Sequence, residues 1–180
     1  SLSNSSSDAK GLAFQKFLAH HEKDGRGQFF TPEPVIDFCV EIIQPKPTEI
    51  IVDPACGSGG FLISSLRHIL RNNSDAKAAD IIPNNLFGLD INKSIARIAK
   101  MKLLLESSGN PNIICTNSLG DLDELRLTIT DSINSSSFEG FDVVLTNPPF
   151  GTLGKITNSK TLAQYDLGYK WTGSGNEYYK

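Results

Sequence analysis

The segment EIIVDPACGSGGF, from Glu49 to Phe61, carries the clearest structural signal in the sequence. A short apolar run ends at Asp53, and a loop rich in glycine follows it at Gly57, Gly59 and Gly60. A helical pattern of apolar residues begins directly afterwards, at Phe61. Because an apolar run, a glycine turn and a helical pattern come in immediate succession, this stretch predicts a buried strand that turns sharply into a helix.

Three further apolar runs predict strands. They are Leu86–Asp90, Asn112–Thr116 and Phe141–Thr146. Strands that are apolar throughout and alternate with helical patterns are typical of a parallel sheet covered by helices on both faces. The sequence therefore predicts an α/β fold.

Local signals place the ends of the helices. Thr31 followed by Pro32 predicts an N-cap and a first helical residue, and Asn92 predicts the cap of the helix that follows the second strand. The polar stretch Asn72–Asp80 is expected to be a loop.

Polar side chains stand where the predicted strands end: Asp53, Asp90, Asn117 and Asn147. Ligands of open α/β sheets bind beyond the carboxyl ends of the strands. Any one of these residues could be an ordinary turn former, since Asn and Asp favour turns. All four together, beside a glycine loop, favour a ligand site.

The glycine loop is not typical of a phosphate site. Leu62 stands where the third glycine of G-x-G-x-x-G would be, and the P-loop pattern is absent. The Asp53 carboxylate would repel a phosphate and attract a cation, while Asp90 could accept hydrogen bonds from two ribose hydroxyls. A cationic nucleoside without phosphate points to S-adenosylmethionine as the cofactor.

The loop Asn147-Pro-Pro-Phe150 directly follows the fourth predicted strand. Proline has no N–H, so the Pro148 carbonyl and the Asn147 side-chain oxygen offer two acceptors to an exocyclic amine. Phe150 offers an aromatic face on which a base could stack. Taken alone, the loop favours a rigid proline turn with Phe150 in the core. Together with the glycine loop upstream, it favours catalysis by Asn147, Pro148 and Phe150.

Composition limits the class of protein. The chain has 180 residues, 39% hydrophobic and 21% charged, with a net charge of -3 and a pI near 5.6. It contains no apolar run long enough for a membrane span, and its charge is unlike that of a protein that holds duplex DNA alone. Three cysteines without C-x-x-C spacing predict neither a disulfide scaffold nor a metal site, which fits the cytoplasm.

The expected organisation has three parts. Residues 1–8 are serine-rich and predict a disordered leader, and 9–151 would form the catalytic core. Residues 152–180 lack sustained apolar periodicity and are expected to form an irregular or disordered tail.

Three motifs carry a resemblance to a known family: GQFFTPE (27–33), DPACGSGGF (53–61) and TNPPFG (146–151). With these motifs in this order, the chain resembles the amino-methylating DNA adenine methyltransferases, most closely the modification subunit of type I restriction-modification systems. The resemblance implies a Rossmann-like fold dependent on S-adenosylmethionine, here ending after the fourth strand. It also implies double-stranded DNA as substrate, a DNA specificity subunit as partner and a restriction nuclease subunit as a further partner.

The resemblance also assigns residues. It implies that Asn147, Pro148 and Phe150 take a flipped adenine. The cofactor would be held by Gln28, Phe29, Phe30, Thr31, Pro32, Glu33, Asp53, Ala55, Gly57, Ser58, Gly59, Gly60, Asp90, Ile91, Asn117 and Ser118.

Two alternatives remain open at this stage. Enzymes that methylate a glutamine side-chain amide in proteins share the N-P-P loop, but they favour tyrosine after the prolines and lack F-T-P ahead of the glycine loop. A truncated core could also bind the cofactor without catalysing transfer, because family members carry more chain at both ends.

Overall fold

The computed structural model describes residues 31–106, 109–133, 138–149, 156–172 and 175–178. In chain order, the helices are α1 (Glu33–Ile43), α2 (Gly60–Asn72), α3 (Ala78–Asn85), α4 (Lys93–Glu106), α5 (Leu122–Ile133) and α6 (Ser159–Leu162). The strands are β1 (Ile51–Asp53), β2 (Leu86–Asp90), β3 (Asn112–Cys115), β4 (Val143–Val144), β5 (Tyr169–Thr172) and β6 (Gly175–Tyr178).

The first four strands form one parallel sheet in the order β3-β2-β1-β4. Strand β1 therefore lies between β2 and β4, so the residues that follow these three strands meet at one edge. The predicted α/β fold is confirmed, and β2 has the predicted bounds. Strand β4 is shorter than predicted, although Leu145 N–H still donates to Val52 O at 3.0 Å.

Both faces of the sheet are covered. Ile51 and Leu86 belong to a buried cluster with α1, α2, α3 and α4. Phe87 and Leu89 alternate with that face along β2, and they are buried as well. Burial on both faces is the reason why the two central strands, β1 and β2, are apolar up to their final aspartates, whereas Val144 of the edge strand β4 is exposed.

Two local expectations were wrong. Residues 78–80, expected to be loop, begin helix α3, which is held because Ile81 and Ile82 are buried in the core. Thr31 does not cap α1: the N-cap is Pro32, and the helix begins at Glu33 without a side-chain cap. The cap at Asn92 is confirmed, since its Oδ1 accepts the N–H groups of Ser94 and Ile95.

The segment 152–180 is not irregular where the structure describes it. It contains the short helix α6, a 3-10 turn at Asp166–Gly168 and the antiparallel hairpin of β5 and β6. Tyr165 anchors this segment to the sheet domain because its hydroxyl donates to Gly120 O at 3.1 Å.

Within the described ranges, no helix is both long and apolar enough to cross a bilayer. The same residues contain no group of three His, Cys, Asp or Glu side chains placed to hold a metal ion. The predicted leader, residues 1–8, lies outside the described part of the chain.

Candidate functional site

A cleft lies at the carboxyl edge of the sheet, where β1 turns into α2. It brings together the end of β1, the glycine loop, the start of α1 and the residue after β4. The lining residues are Thr31, Ile36, Asp53, Ala55, Cys56, Gly57, Ser58, Gly60, Phe61 and Asn147. Its cavity volume is about 70 Å³, below the roughly 300 Å³ of a typical ligand site.

The glycine loop is tied to the end of β2 by two backbone donors. Cys56 N–H donates to Leu89 O at 2.8 Å, and Gly57 N–H donates to Asp90 Oδ2 at 3.0 Å. Gly57 has a φ of +53°, a left-handed conformation that favours glycine, and no atom lies within 4 Å of where its Cβ would be. This glycine therefore shapes the turn and leaves open space beside it.

The other two glycines allow close packing. Gly59 has a φ of +85° and faces Ala99 of α4, whose Cβ is 3.4 Å from the position of an added Cβ. At Gly60 an added Cβ would be 2.6 Å from Ile36 Cδ1 of α1. The loop is thus clamped between α1 and α4, and only Gly57 and Gly60 of the three line the cleft.

Asp53 is a buried carboxylate at the end of β1, with 2% of its surface exposed. Its Oδ1 accepts the Ala55 N–H at 3.1 Å. Burial raises the pKa of Asp53 to about 6, an effect that the Ala55 N–H and the Thr146 hydroxyl oppose and the nearby Asp90 charge reinforces. The Thr146 hydroxyl is itself buried and forms no regular hydrogen bond with any described residue.

Asp90 closes the end of β2. Oδ1 accepts the Asn92 N–H at 2.7 Å, and Oδ2 accepts the Gly57 N–H. Burial raises the pKa of Asp90, while these two N–H groups oppose the rise. Each carboxylate oxygen keeps a further lone pair, so Asp90 can hold the loop and still accept hydroxyl donors.

Asn147 is held from across the cleft. Its Nδ2 donates to the Thr31 hydroxyl at 2.9 Å, although the two residues are 116 positions apart. Within the described part of the chain, no donor reaches Oδ1, which is therefore available as an acceptor. The cleft thus combines a buried carboxylate, Asp53, with an amide whose nitrogen is hydrogen-bonded to Thr31.

The charge of the lining is negative. Asp53 is the one ionisable carboxylate among the lining residues, and Asp90 contacts the loop directly behind it. Among the residues that the structure describes, none of those lining the cleft is a lysine or an arginine, although Lys102 Nζ approaches from α4 and donates to Ser58 Oγ at 3.1 Å. This arrangement suits a cationic ligand better than a phosphate.

Comparison with known proteins gives the family. The model of the N-6 DNA methylase family matches residues 6–172. The chain belongs to this family.

Individual relatives agree. The StySPI methylase subunit of a type I restriction enzyme from Salmonella potsdam is 31% identical over 153 residues, 80% of this chain and 27% of its own length. A solved modification subunit, described as that of a type I restriction enzyme from Vibrio vulnificus YJ016, has a TM-score of 0.63 and 30% identity, covering 87% of this chain and 30% of that one. The resemblance inferred from the three motifs is confirmed, and the chain spans under a third of the length of these relatives.

The fold extends beyond the family. A structure described as a class I S-adenosylmethionine-dependent methyltransferase from Listeria monocytogenes has a TM-score of 0.54 at 17% identity. It covers 96% of this chain and 45% of that one. At this level of identity the likeness concerns the fold, which is the Rossmann-like arrangement expected from the sequence.

The structure brings together some of the residues assigned to the site by the methylase resemblance. Seven of them line the cleft: Thr31, Asp53, Ala55, Gly57, Ser58, Gly60 and Asn147. Asp90 joins them through Gly57. Described but outside the lining are Pro32, Glu33, Gly59, Ile91, Asn117, Ser118 and Pro148. Gln28, Phe29, Phe30 and Phe150 lie outside the described residues.

Asn117 lies at the end of β3, but its side chain turns back onto its own loop. Oδ1 accepts the Leu119 N–H at 3.1 Å, and the Asn117 carbonyl accepts the Gly120 N–H. This is the turn-forming role that any single strand-end Asn can have.

Sequence reasoning did not assign Ile36, Cys56 or Phe61 to the cleft. Cys56 and Phe61 stand inside the quoted motif, so their place in the motif was an available signal. Ile36 comes from α1, and nothing local in the sequence indicates that it meets Gly60.

Proposed function

We propose that this chain is the catalytic core of a DNA adenine-N6 methyltransferase that uses S-adenosylmethionine, as the modification subunit of a restriction-modification system. The observation that carries the proposal is that one cleft joins a buried carboxylate, a glycine loop and an amide whose oxygen is left as an acceptor. The family match supports the same activity.

The carboxylates would bind the cofactor. Asp53 would face its positive charge, and Asp90 would accept from its ribose hydroxyls through the lone pairs not used by Asn92 and Gly57. Gly57, with open space beside its Cα, would let the backbone approach the ligand. When bound, the cofactor supplies an electrophilic methyl group.

The amide would bind the target. An exocyclic adenine amine is a poor nucleophile because its lone pair is delocalised into the ring. Asn147 Oδ1 and the Pro148 carbonyl would accept its two hydrogens and favour a pyramidal nitrogen, and Phe150 would stack on the flipped base. Catalysis would then rest on positioning and on acceptor electrostatics.

The proposed partners are double-stranded DNA, a DNA specificity subunit and a restriction nuclease subunit, in the cytoplasm. A net charge of -3 agrees with an assembly in which another subunit neutralises most of the DNA phosphates. The named relatives, methylase and modification subunits of restriction enzymes, support this assembly.

Calorimetric titration with S-adenosylmethionine tests the cofactor. The chain should bind it, and Asp53→Asn should weaken binding about tenfold to a hundredfold because one charged contact is lost. Asp75→Asn, at an exposed position, is the matched control and should bind normally. An absence of binding to the wild-type chain at millimolar cofactor would overturn the proposal.

Methyl transfer tests the reaction. The chain, alone and with a specificity subunit, is given duplex DNA and labelled cofactor, and N6-methyladenine is quantified. Asn147→Ala should abolish transfer, whereas Asn84→Ala, on the exposed side of α3, should not. Transfer to a glutamine-containing protein in place of DNA, or full activity in Asn147→Ala, would contradict the assignment.

A further inference from the structure

The contact between Thr31 and Asn147 joins two distant parts of the chain. Thr31 lies just before α1 and Asn147 lies just after β4, and both line the cleft. The bond runs from the amide nitrogen to the hydroxyl oxygen at 2.9 Å. Because this bond holds the nitrogen end of the Asn147 amide, it leaves the oxygen end to face the cleft.

The orientation of this amide matters chemically. The oxygen and nitrogen ends of a side-chain amide have nearly the same shape, but one accepts hydrogen bonds and the other donates them. The target amine presents N–H donors. If the Asn147 amide were turned by about 180°, its own N–H donors would face those of the amine, and no hydrogen bond could form. Only the orientation in which Nδ2 is held elsewhere leaves Oδ1 for the amine.

Thr31 is well placed to hold that orientation because α1 is fixed to the glycine loop. The Pro32 carbonyl accepts the N–H groups of Val35 and Ile36 in the first turn of the helix, and Ile36 packs against Gly60. Ser64 of α2 donates to Asp37 of α1 at 2.6 Å. The hydroxyl is thus carried by a rigid support.

We propose that Thr31 is a positioning residue that sets the amide orientation of Asn147, so that Oδ1 faces the target amine. The inference rests on the proposed function. Because a hydroxyl can donate as well as accept, the contact selects this orientation once the Thr31 proton is donated to another acceptor. The Thr31 hydroxyl would donate a hydrogen bond to an acceptor in the cleft, such as the carboxylate of S-adenosylmethionine, and its oxygen could then only accept from Asn147 Nδ2. Cofactor binding would then select the productive orientation.

Three variants test this inference in the full chain. Thr31→Val removes the hydroxyl at nearly constant shape, and Thr31→Ser restores it. Thr130→Val is the matched control, since it removes a hydroxyl that bonds Arg126 O at 2.8 Å on α5, away from the cleft. At saturating cofactor, Thr31→Val should lower kcat about tenfold, while Thr31→Ser and Thr130→Val should stay within about twofold of wild type.

A second measurement needs no activity. The side-chain amide of Asn147 is followed by ¹H–¹⁵N NMR, with that of Asn84 as reference. Its signals should shift in Thr31→Val, return in Thr31→Ser, and respond to added S-adenosylmethionine only in proteins that keep the hydroxyl.

The outcomes separate this inference from the proposed function. If the wild-type chain binds no cofactor and transfers no methyl group, the proposed function is wrong. If the NMR signals of the Asn147 amide do not shift in Thr31→Val, the contact between Thr31 and Asn147 is wrong as well. If wild type is active but Thr31→Val keeps full kcat, or Thr31→Ser is as impaired as Thr31→Val, the positioning role is wrong while the function stands.

Discussion

Replacing Asp53 by asparagine is expected to stabilise the protein without cofactor, although it weakens the proposed cofactor site. Burial raises the pKa of Asp53 from 3.8 to about 6, which means that the fold disfavours the charged carboxylate. One pKa unit corresponds to about 1.4 kcal/mol, so the charge costs about 3 kcal/mol of folding free energy. The asparagine can keep the Ala55 hydrogen bond through Oδ1 and donate from Nδ2 to the buried Thr146 hydroxyl, which makes no regular hydrogen bond in the described structure.

The effect depends on pH in a defined direction. Because the folded-state pKa lies above the unfolded value, the cost is absent below about pH 4 and grows as the pH rises through about 6. The advantage of Asp53→Asn over wild type should therefore be small near pH 4 and reach about 3 kcal/mol at pH 7 and above.

Urea unfolding followed by circular dichroism, at several pH values, measures this difference. Asp75→Asn removes one exposed carboxylate and should show no comparable rise. An Asp53→Asn protein that is less stable than wild type at pH 7, or a difference that does not change with pH, would show that burial does not disfavour the charged Asp53 carboxylate.

Three further predictions concern the loop, a helix cap and the cofactor. Gly59→Ala should destabilise by about 1–2 kcal/mol in urea unfolding, since φ is +85° and α4 lies 3.4 Å from the new Cβ, whereas Gly140→Ala, in open space, should be neutral. Asn92→Ala should cost about 1 kcal/mol because it removes the cap of α4, and Asn84→Ala in α3 should not. S-adenosylmethionine affinity should fall about tenfold from pH 7 to pH 5 as Asp53 is protonated, and calorimetry should find no such fall in Asp53→Asn.

The strands of the parallel sheet were predictable because their signal is local, whereas β5 and β6 lie in a segment without an apolar pattern. Leu86–Asp90 is an uninterrupted apolar run ending in a carboxylate, and every residue of β2 is buried. The turn after β1 was also predictable from the sequence, because its left-handed and closely packed backbone positions require glycine. These features follow from a few adjacent residues.

Helix α3 was not predictable in the same way. Its sequence, AADIIPNN, contains a proline and two asparagines, and its apolar pair is too short for a periodic pattern. The helix is held by distant partners: Asn112 donates to Pro83 O at 2.6 Å, and Asn85 donates to the carbonyls of Pro47 and Glu49.

The candidate site also combines features that adjacent residues predict with features that depend on distant contacts. The positions of Asp53, Asp90 and Asn147 followed from strand ends alone, and they meet as expected around one loop. The sequence around Thr31 predicts a helix cap, but the Thr31 hydroxyl accepts a hydrogen bond from Asn147 instead. Asn117 lies at a strand end as predicted, but its side chain accepts the Leu119 N–H of its own loop. Local patterns locate the residues, whereas long-range packing decides what each side chain contacts.

A crystal structure of the chain with S-adenosylmethionine tests the central assignment most directly. We expect the ribose hydroxyls on the Asp90 carboxylate and the methyl group directed toward the side of the cleft that holds the Asn147 oxygen. A nucleoside bound away from the glycine loop, or a methyl group pointing away from Asn147, would contradict the account.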